Sequence, residues 1–132
     1  MLTLADFQDK ARQFAAELNA GDIIFLIGEM GAGKTTFVSA LASYFEFDQV
    51  SSPSFALVNH YETKIPMLHI DLYRCKSEDE IKLLDLEYYF NKTDHIVLIE
   101  WAQKAPWLEA QCNKKVYISV NDDQTRTIKI TT

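Results

Sequence analysis

The sequence predicts a small α/β domain in three layers, with a largely parallel central sheet, antiparallel additions and flanking helices. Three observations favour this class: a helix-period apolar pattern precedes a short apolar run, a glycine-rich loop follows that run directly, and a second helical pattern follows the loop. The length of 132 residues fits one domain, residues 1–132. Apolar residues make up 48% and charged residues 24%, which is the balance of a globular domain.

The first three elements follow from the spacing of apolar residues. Near the start of the chain such residues recur at three- and four-residue steps, namely Leu4, Phe7, Ala11, Phe14 and Leu18. This spacing predicts a helix that Thr3 could cap and that covers a sheet. Residues 23–27 are an unbroken apolar run, typical of a strand buried on both faces. Residues 35–45 then repeat the helical spacing, with Phe37, Val38, Leu41 and Phe45 facing inward.

The rest of the chain adds strands and one further helix. Residues 51–54 have the composition of a loop, and residues 55–61 and 65–73 predict a β-hairpin. A helical stretch begins at Ser77 and ends near Asn91. Residues 96–99 predict a second buried strand that ends on Glu100, and residues 101–112 are irregular or helical. Two alternating segments, residues 116–120 and 126–131, predict strands joined by a turn.

Charge and composition exclude several classes of function. The net charge of −6 argues against a broad nucleic-acid surface, which would need clustered Lys and Arg on one face. Cys75 and Cys112 have no CxxC spacing, so a zinc site or a disulfide framework is not expected. The sequence shows no long apolar window and no secretory leader, so we expect a cytoplasmic protein without membrane association.

A complete GxxxxGK[ST] motif lies between the first predicted strand and the second predicted helix. Its residues are Gly28, Glu29, Met30, Gly31, Ala32, Gly33, Lys34 and Thr35. Glycines let the backbone wrap around phosphate oxygens, and N–H groups at a helix N-terminus point at the anion. We therefore expect a P-loop NTPase-like site for a nucleoside triphosphate and Mg²⁺, in which Lys34 bridges the β- and γ-phosphates and Thr35 ligates the metal. Thr36 belongs to the expected nucleotide-binding set, although a capping or packing role suits it better.

Two acidic residues at strand ends are candidates for metal binding and catalysis. Magnesium usually needs a carboxylate on a neighbouring strand, bound directly or through water. Glu100 follows a buried strand as a Walker B acid would, and Asp71 is the second candidate. One of the two could instead orient the attacking water. Residues 91–94 match the guanine-reading pattern NKxD, but they precede a strand rather than follow one, so a plain turn is the preferred interpretation.

Four motifs in a fixed order make the interpretation more specific. Residues 28–37 contain the glycine-rich loop, residues 52–55 read Ser-Pro-Ser-Phe, residues 69–74 read His-Ile-Asp-Leu-Tyr-Arg, and residues 99–101 read Ile-Glu-Trp. Together they resemble the TsaE family, also called YjeE, the small bacterial ATPases of tRNA threonylcarbamoyladenosine biosynthesis. The resemblance covers nearly the whole chain. Two positions depart from the family pattern, because SPSF replaces SPTF and IEWAQ replaces IEWPE.

The resemblance implies an ATPase with weak activity alone that uses Mg²⁺ and binds ATP or ADP. It implies partnership with the TsaB and TsaD proteins, repeated threonylcarbamoyl transfer to N6 of adenosine 37, and contact with tRNA only through the complex. Lys34, Asp71 and Glu100 match the catalytic positions, and Thr35, Asp71 and Glu100 match the metal-binding positions. Ser54 and Trp101 match positions beside the nucleotide, Arg74 could stabilise phosphate charge or pair with a surface acid, and His69 is expected only to pack.

Three alternatives stay open at the level of sequence. A small-molecule or nucleoside kinase could use the same loop, although Arg12, Arg74 and Arg126 are the only arginines and form no lid segment. A nucleotide-sensing adaptor would bind ATP with incidental hydrolysis. A GTPase would use residues 91–94 to read the base.

Overall fold

A computed structural model describes residues 2–29, 31–50, 58–91 and 94–132. Within these residues the chain forms five α-helices, one 3-10 turn and six strands. The helices are α1 Leu4–Ala16, α2 Lys34–Tyr44, α3 Glu78–Lys82, α4 Leu86–Phe90 and α5 Pro106–Glu109, with the 3-10 turn at Ala102–Lys104. The strands are β1 Ile23–Ile27, β2 Val58–Tyr61, β3 Met67–Asp71, β4 Ile96–Glu100, β5 Lys114–Val120 and β6 Arg126–Thr131.

All six strands form one sheet in the order β2-β3-β4-β1-β5-β6. The four central strands are parallel: β3 pairs with β4, β4 with β1, and β1 with β5. The two edge strands run antiparallel to their neighbours, because β2 and β3 form one hairpin and β5 and β6 form another. This confirms the predicted α/β class with a largely parallel sheet and antiparallel additions.

Helices cover both faces of the sheet and divide the core in two. One face packs against α1 and α2, where Phe7 and Phe14 both contact the ring of Phe37 with centroids 6.0 Å apart. The other face packs against α3, α4 and α5, with Phe25 and Ile99 pointing to that side. Because neighbouring residues of a strand point to opposite faces, the apolar run of β1 supplies both cores at once.

The predicted elements near the N-terminus are confirmed. Thr3 caps α1, since its hydroxyl accepts the Asp6 N–H at 3.2 Å. The helix predicted from Ser77 to Asn91 is wrong in one respect, because the chain breaks it into α3 and α4. Asp85 between them has φ +50°, a left-handed conformation that a continuous helix cannot contain. The β-hairpin is confirmed from Val58 onward, and residues 55–57 of its first predicted strand lie outside the described residues.

The structure also allows the helices to be compared with the thickness of a membrane. Among the residues that it describes, no helix has the length and apolar character needed to cross one. The prediction of one domain over residues 1–132 stays a prediction.

Candidate functional site

The glycine-rich loop connects the end of β1 to the start of α2. Gly33 directly precedes the helix and has φ +101°, a conformation that favours glycine over any residue with a side chain. Gly28 has no room for a side chain, because a Cβ there would lie 2.7 Å from the Ile118 carbonyl oxygen of β5. The first amide groups of a helix have no acceptor within it, so the N–H groups at the start of α2 are available to an anion.

Lys34 is the first residue of α2, and its side chain is buried. Its Nζ donates to the Gly28 carbonyl oxygen at 2.7 Å and lies 3.5 Å from Oε1 of Glu100. The same ammonium group is 4.6 Å from the centre of the Trp101 ring. The loop, the acid at the end of β4 and the following tryptophan therefore meet at one lysine. A cation held in this way is already positioned for a phosphate group.

Asp71 and Glu100 lie side by side at the carboxyl ends of neighbouring strands. They are register partners in the β3–β4 pair, and both are more than nine-tenths buried. The Tyr73 N–H donates to Oδ1 of Asp71 at 2.9 Å. Burial raises the pKa of Asp71, and the nearby Glu100 charge adds to the increase, although the Tyr73 N–H bond, Lys34 and His69 oppose it. Paired carboxylates of this kind attract a divalent cation.

His69 does not only pack in the core, because its ring also lies within hydrogen-bond distance of Glu100. It is fully buried on β3, and its Nε2 lies 2.5 Å from Oε2 of Glu100. Its other ring nitrogen, Nδ1, lies 3.0 Å from the Tyr61 hydroxyl. Tyr61, His69 and Glu100 thus form a buried chain of hydrogen-bonding groups that fixes one oxygen of the glutamate. The expectation that His69 only packs is incomplete, because the side chain also positions Glu100.

These groups surround one cavity of about 430 Å³. Its lining residues are Gly31, Gly33, Lys34, Thr35, Thr36, Asp71, Tyr73, Glu100, Trp101 and Arg126. Trp101 has φ +64°, so the chain turns sharply after Glu100 and the indole lies beside Tyr73, with ring centroids 5.1 Å apart. The structure therefore brings together the predicted lysine, both threonines, both acids and the tryptophan. An aromatic wall and a cationic group, Arg126, complete the cavity.

Other predicted residues lie beside this cavity or outside the described part of the chain. Gly28, Glu29 and Ala32 line a neighbouring cavity with Tyr117 and Ile118, while Gly31 borders both. Arg74 is exposed and lies with Glu80 in a separate groove. Met30 and Ser54, with the whole Ser-Pro-Ser-Phe segment, lie outside the described residues.

The predicted base-reading segment lies at the wrong end of its strand for this cavity. Asn91 and Asp94 precede β4, whereas Glu100 ends it, and Lys92 and Thr93 lie outside the described residues. A strand of five residues separates its two ends by about 13 Å. The structure therefore places Asn91 and Asp94 at the end of β4 that lies away from the cavity.

The oxygen donors in the cavity suit magnesium better than a transition metal. Thr35, Asp71 and Glu100 offer hydroxyl and carboxylate oxygens, which Mg²⁺ prefers. In the described ranges, no three His, Cys, Asp or Glu side chains group closely enough to hold a metal by themselves.

Two residues with a functional placement escaped the sequence analysis: Arg126 lines the cavity, and His69 is fully buried and contacts Glu100. His69 lies two residues before Asp71 on a strand, so period-two alternation already placed both on one face and could have linked them. Arg126 belongs to no motif. Its position depends on the β5–β6 hairpin and on the bridge between Leu2 and Arg126, and neither contact has a local signal in the sequence.

Comparison with known proteins adds a consistent set of similarities. The family model described as "Threonylcarbamoyl adenosine biosynthesis protein TsaE" matches residues 2–129. The tRNA threonylcarbamoyladenosine biosynthesis protein TsaE of Nostoc sp. is 37% identical over 119 residues, which covers 86% of this chain and 72% of the relative. The protein of the same name from Aquifex aeolicus is 36% identical over 124 residues, covering 91% of this chain and 84% of the relative. The crystal structure of YdiB from Bacillus subtilis superposes with a TM-score of 0.72 at 26% identity, covering 100% of this chain and 82% of that one.

Proposed function

This chain belongs to the TsaE family of tRNA threonylcarbamoyladenosine biosynthesis proteins, and from that membership we propose that it is a magnesium-dependent ATPase. In this proposal it acts in the cytoplasm with TsaB and TsaD and supports repeated threonylcarbamoyl transfer to N6 of adenosine 37. The observation that carries the proposal is the meeting of Lys34, Asp71 and Glu100 in one cavity at the start of α2.

The roles of the residues follow from their contacts. Lys34 would exchange its contact with the Gly28 carbonyl for the β- and γ-phosphates and keep its charge beside them. The amide groups at the start of α2 would hold phosphate oxygens, and Thr35, Asp71 and Glu100 would hold Mg²⁺. Bound magnesium neutralises phosphate charge as it develops during hydrolysis. His69 would keep one Glu100 oxygen fixed, so that the other faces the lysine side of the cavity.

The charge of the protein supports an indirect contact with tRNA. A net charge of −6 opposes binding to a polyanion, whereas a single nucleotide needs only the loop amides and Lys34. We therefore assign the grip on tRNA to the partner proteins and ATP hydrolysis to this chain.

The sharpest test replaces Lys34 by Ala and measures threonylcarbamoyladenosine formed per TsaD during many turnovers, with TsaB, TsaD and ATP present. We expect product formation to stop near the first turnover and the chain's ATP hydrolysis to fall by about 100-fold or more, because a preorganised cationic contact to the transferring phosphate is lost. Lys10→Ala on α1 is the matched control, since it removes the same charge away from the cavity. Unchanged multiple-turnover modification by Lys34→Ala would sink the proposal.

Glu100→Gln separates hydrolysis from nucleotide sensing. The variant keeps the shape of the side chain but loses its charge, so it should bind ATP and fail in repeated turnover. Full turnover by a Glu100→Gln protein that does not hydrolyse ATP would instead favour an adaptor.

A further inference from the structure

Arg126 is fixed at the edge of the cavity by its own backbone. It is the first residue of β6 and pairs with Val120 of β5. Its N–H donates to the Leu2 carbonyl oxygen at 2.8 Å, and its carbonyl oxygen accepts the Leu2 N–H at 2.8 Å. These bonds attach the N-terminal segment to β6. The side chain therefore leaves the sheet from a defined point and lines the same cavity as Lys34.

The guanidinium group lies between an aromatic ring and the glycine-rich loop. Its Cζ is 5.1 Å from the centre of the Phe7 ring. On the loop side, a Cβ placed on Gly33 would lie 3.5 Å from Nε of the arginine. The charge is thus held directly against the backbone that starts α2. This cation–π contact with Phe7 supplies no hydrogen-bond acceptor.

Two nitrogen atoms of this side chain are buried and have no hydrogen-bond partner in the part of the chain that the structure describes. Nε and Nη1 of Arg126 make no hydrogen bond to any described residue, and no described carboxylate forms an ion pair with the group. Burial of unpaired N–H groups on a charged side chain is costly, and buried polar groups in proteins are almost always satisfied. An arginine with a purely structural role would be expected to bond to a carbonyl or a carboxylate. The missing acceptor points to a ligand.

Charge and topology indicate which ligand this is. A forked donor beside a helix N-terminus matches the oxygens of a phosphate group. The acids are on β3 and β4, whereas Arg126 is on β6 on the other side of β1, so the backbones of β4 and β6 are about 14 Å apart. The arginine therefore approaches the loop from the side away from the metal-binding acids. That side is where the phosphate nearest the ribose would lie if the terminal phosphate faces Lys34 and Glu100.

We propose that Arg126 is a second cationic contact of the nucleotide, one whose guanidinium group binds the α-phosphate region. The inference rests on the proposed nucleotide site and deepens it. It assigns Lys34 to the reacting end of the polyphosphate and Arg126 to the non-reacting end. Arg126 consequently contributes to affinity for ATP and ADP alike.

The test uses calorimetric titration of the full chain with ATP·Mg and ADP·Mg, and thermal unfolding without nucleotide. Arg126→Met should weaken the binding of both nucleotides by about tenfold, the effect of losing one charge-assisted contact. Arg126→Lys keeps the charge without the fork and should lose less. Because Met removes an unpaired buried charge, the unfolding midpoint of the nucleotide-free variant should equal or exceed that of wild type. Arg12→Met, on the exposed side of α1 where Arg12 pairs with Asp9, is the control and should change neither readout.

Each other outcome overturns the inference. Affinities within twofold of wild type, or a lower midpoint with unchanged affinity, would show that Arg126 is structural. A loss confined to ATP would place the contact on the terminal phosphate instead. If Lys34→Ala abolishes binding while Arg126→Met leaves both affinities within twofold of wild type, this inference fails and the proposed function stands. If the wild-type chain binds neither nucleotide, the proposed function fails, and the inference fails with it.

Discussion

The carboxyl group of Asp71 lies in an environment that disfavours its ionised form. It is buried, it lies beside Glu100 in register, and both effects raise its pKa. A carboxyl group with a raised pKa in the folded protein binds its proton more tightly there than in the unfolded chain. The free energy of unfolding therefore falls as pH rises from the unfolded pKa to the folded one, and the loss persists at neutral pH. At neutral pH the folded protein therefore loses unfolding free energy because Asp71 is buried beside Glu100.

Asp71→Asn should stabilise the nucleotide-free protein at neutral pH. The amide oxygen can still accept the Tyr73 N–H, and the repulsion with Glu100 is gone. We expect the unfolding midpoint at pH 7 to rise by about 2–5 °C, which roughly 1 kcal/mol produces in a domain of this length. The gain should shrink as pH falls from the folded pKa of Asp71 towards the unfolded value of about 4, and it should be absent below that value, because Asp71 is then protonated in both states. ATP hydrolysis should fall at the same time.

The exposed Asp48 offers a control for the change in net charge. Asp48→Asn should leave the midpoint within about 1 °C of wild type, as substitutions on open surface usually do. Thermal scans of both variants between pH 3 and pH 8 would decide the matter. A lower midpoint for Asp71→Asn at pH 7 would contradict the account of its environment.

At the scale of elements, the glycine-rich loop uses two glycines for different reasons. Gly28 packs so closely on β5 that a Cβ would meet the Ile118 carbonyl oxygen, whereas Gly31 has φ +83° and open space around it. The first position is limited by a neighbouring backbone and the second by its own backbone angles. The loop is thus attached to the sheet at one end and shaped by its own conformation in the middle.

The two alanine variants should differ in size of effect. Gly28→Ala forces the loop and β5 apart and should cost about 1–3 kcal/mol of unfolding free energy, as overpacking does. Gly31→Ala requires only a left-handed alanine and should cost about 1 kcal/mol. Urea unfolding of the pair, which shares one chemical change, measures the difference directly. A smaller loss for Gly28→Ala than for Gly31→Ala would mean that β5 yields easily at Ile118.

Local patterns predicted much of this fold because the relevant contacts are short in sequence. The helix capped by Thr3, the run of β1 and the loop before α2 each depend on neighbouring residues. The break at Asp85 was not predictable, because an aspartate in the left-handed conformation has no composition signal that separates it from a helical one. Arg126 was not predictable either, since its place in the cavity depends on Leu2 and on Phe7, which are distant in the chain.

At the scale of the whole molecule, the strand order decides where the candidate site lies. Strands β1, β3 and β4 are parallel, so their carboxyl ends lie on the same side of the sheet. The glycine-rich loop and both acids follow these ends and therefore meet there. Asn91 and Asp94 lie at the opposite, amino ends of the parallel strands, because they precede β4. A nucleotide held by the loop would therefore not reach them.

This arrangement predicts the response of thermal stability to nucleotides. ATP and ADP with magnesium should raise the unfolding midpoint. At a nucleotide concentration of a hundred times Kd, the free energy of unfolding should increase by about 2.7 kcal/mol. Lys34→Ala should remove the response, and Lys10→Ala should keep it. GTP should not stabilise the protein more than ATP does, because Asn91 and Asp94 of the segment that would read guanine lie at the amino end of β4 and away from the cavity. A response to GTP alone would contradict the proposed site and restore residues 91–94 as a base reader.

The strand order also affects the sequence in which the strand pairs form during folding. The two edge hairpins join residues that are close in the chain, with Tyr61 opposite Met67 and Val120 opposite Arg126, so their closure entropy is small. The central pair of β1 and β4 joins Ile23 to Val97, across most of the sequence. Non-local pairs of this kind form slowly. The two edge hairpins can thus form first. The candidate site lies at the carboxyl ends of the middle strands, so it becomes complete only after these non-local strand pairs have formed.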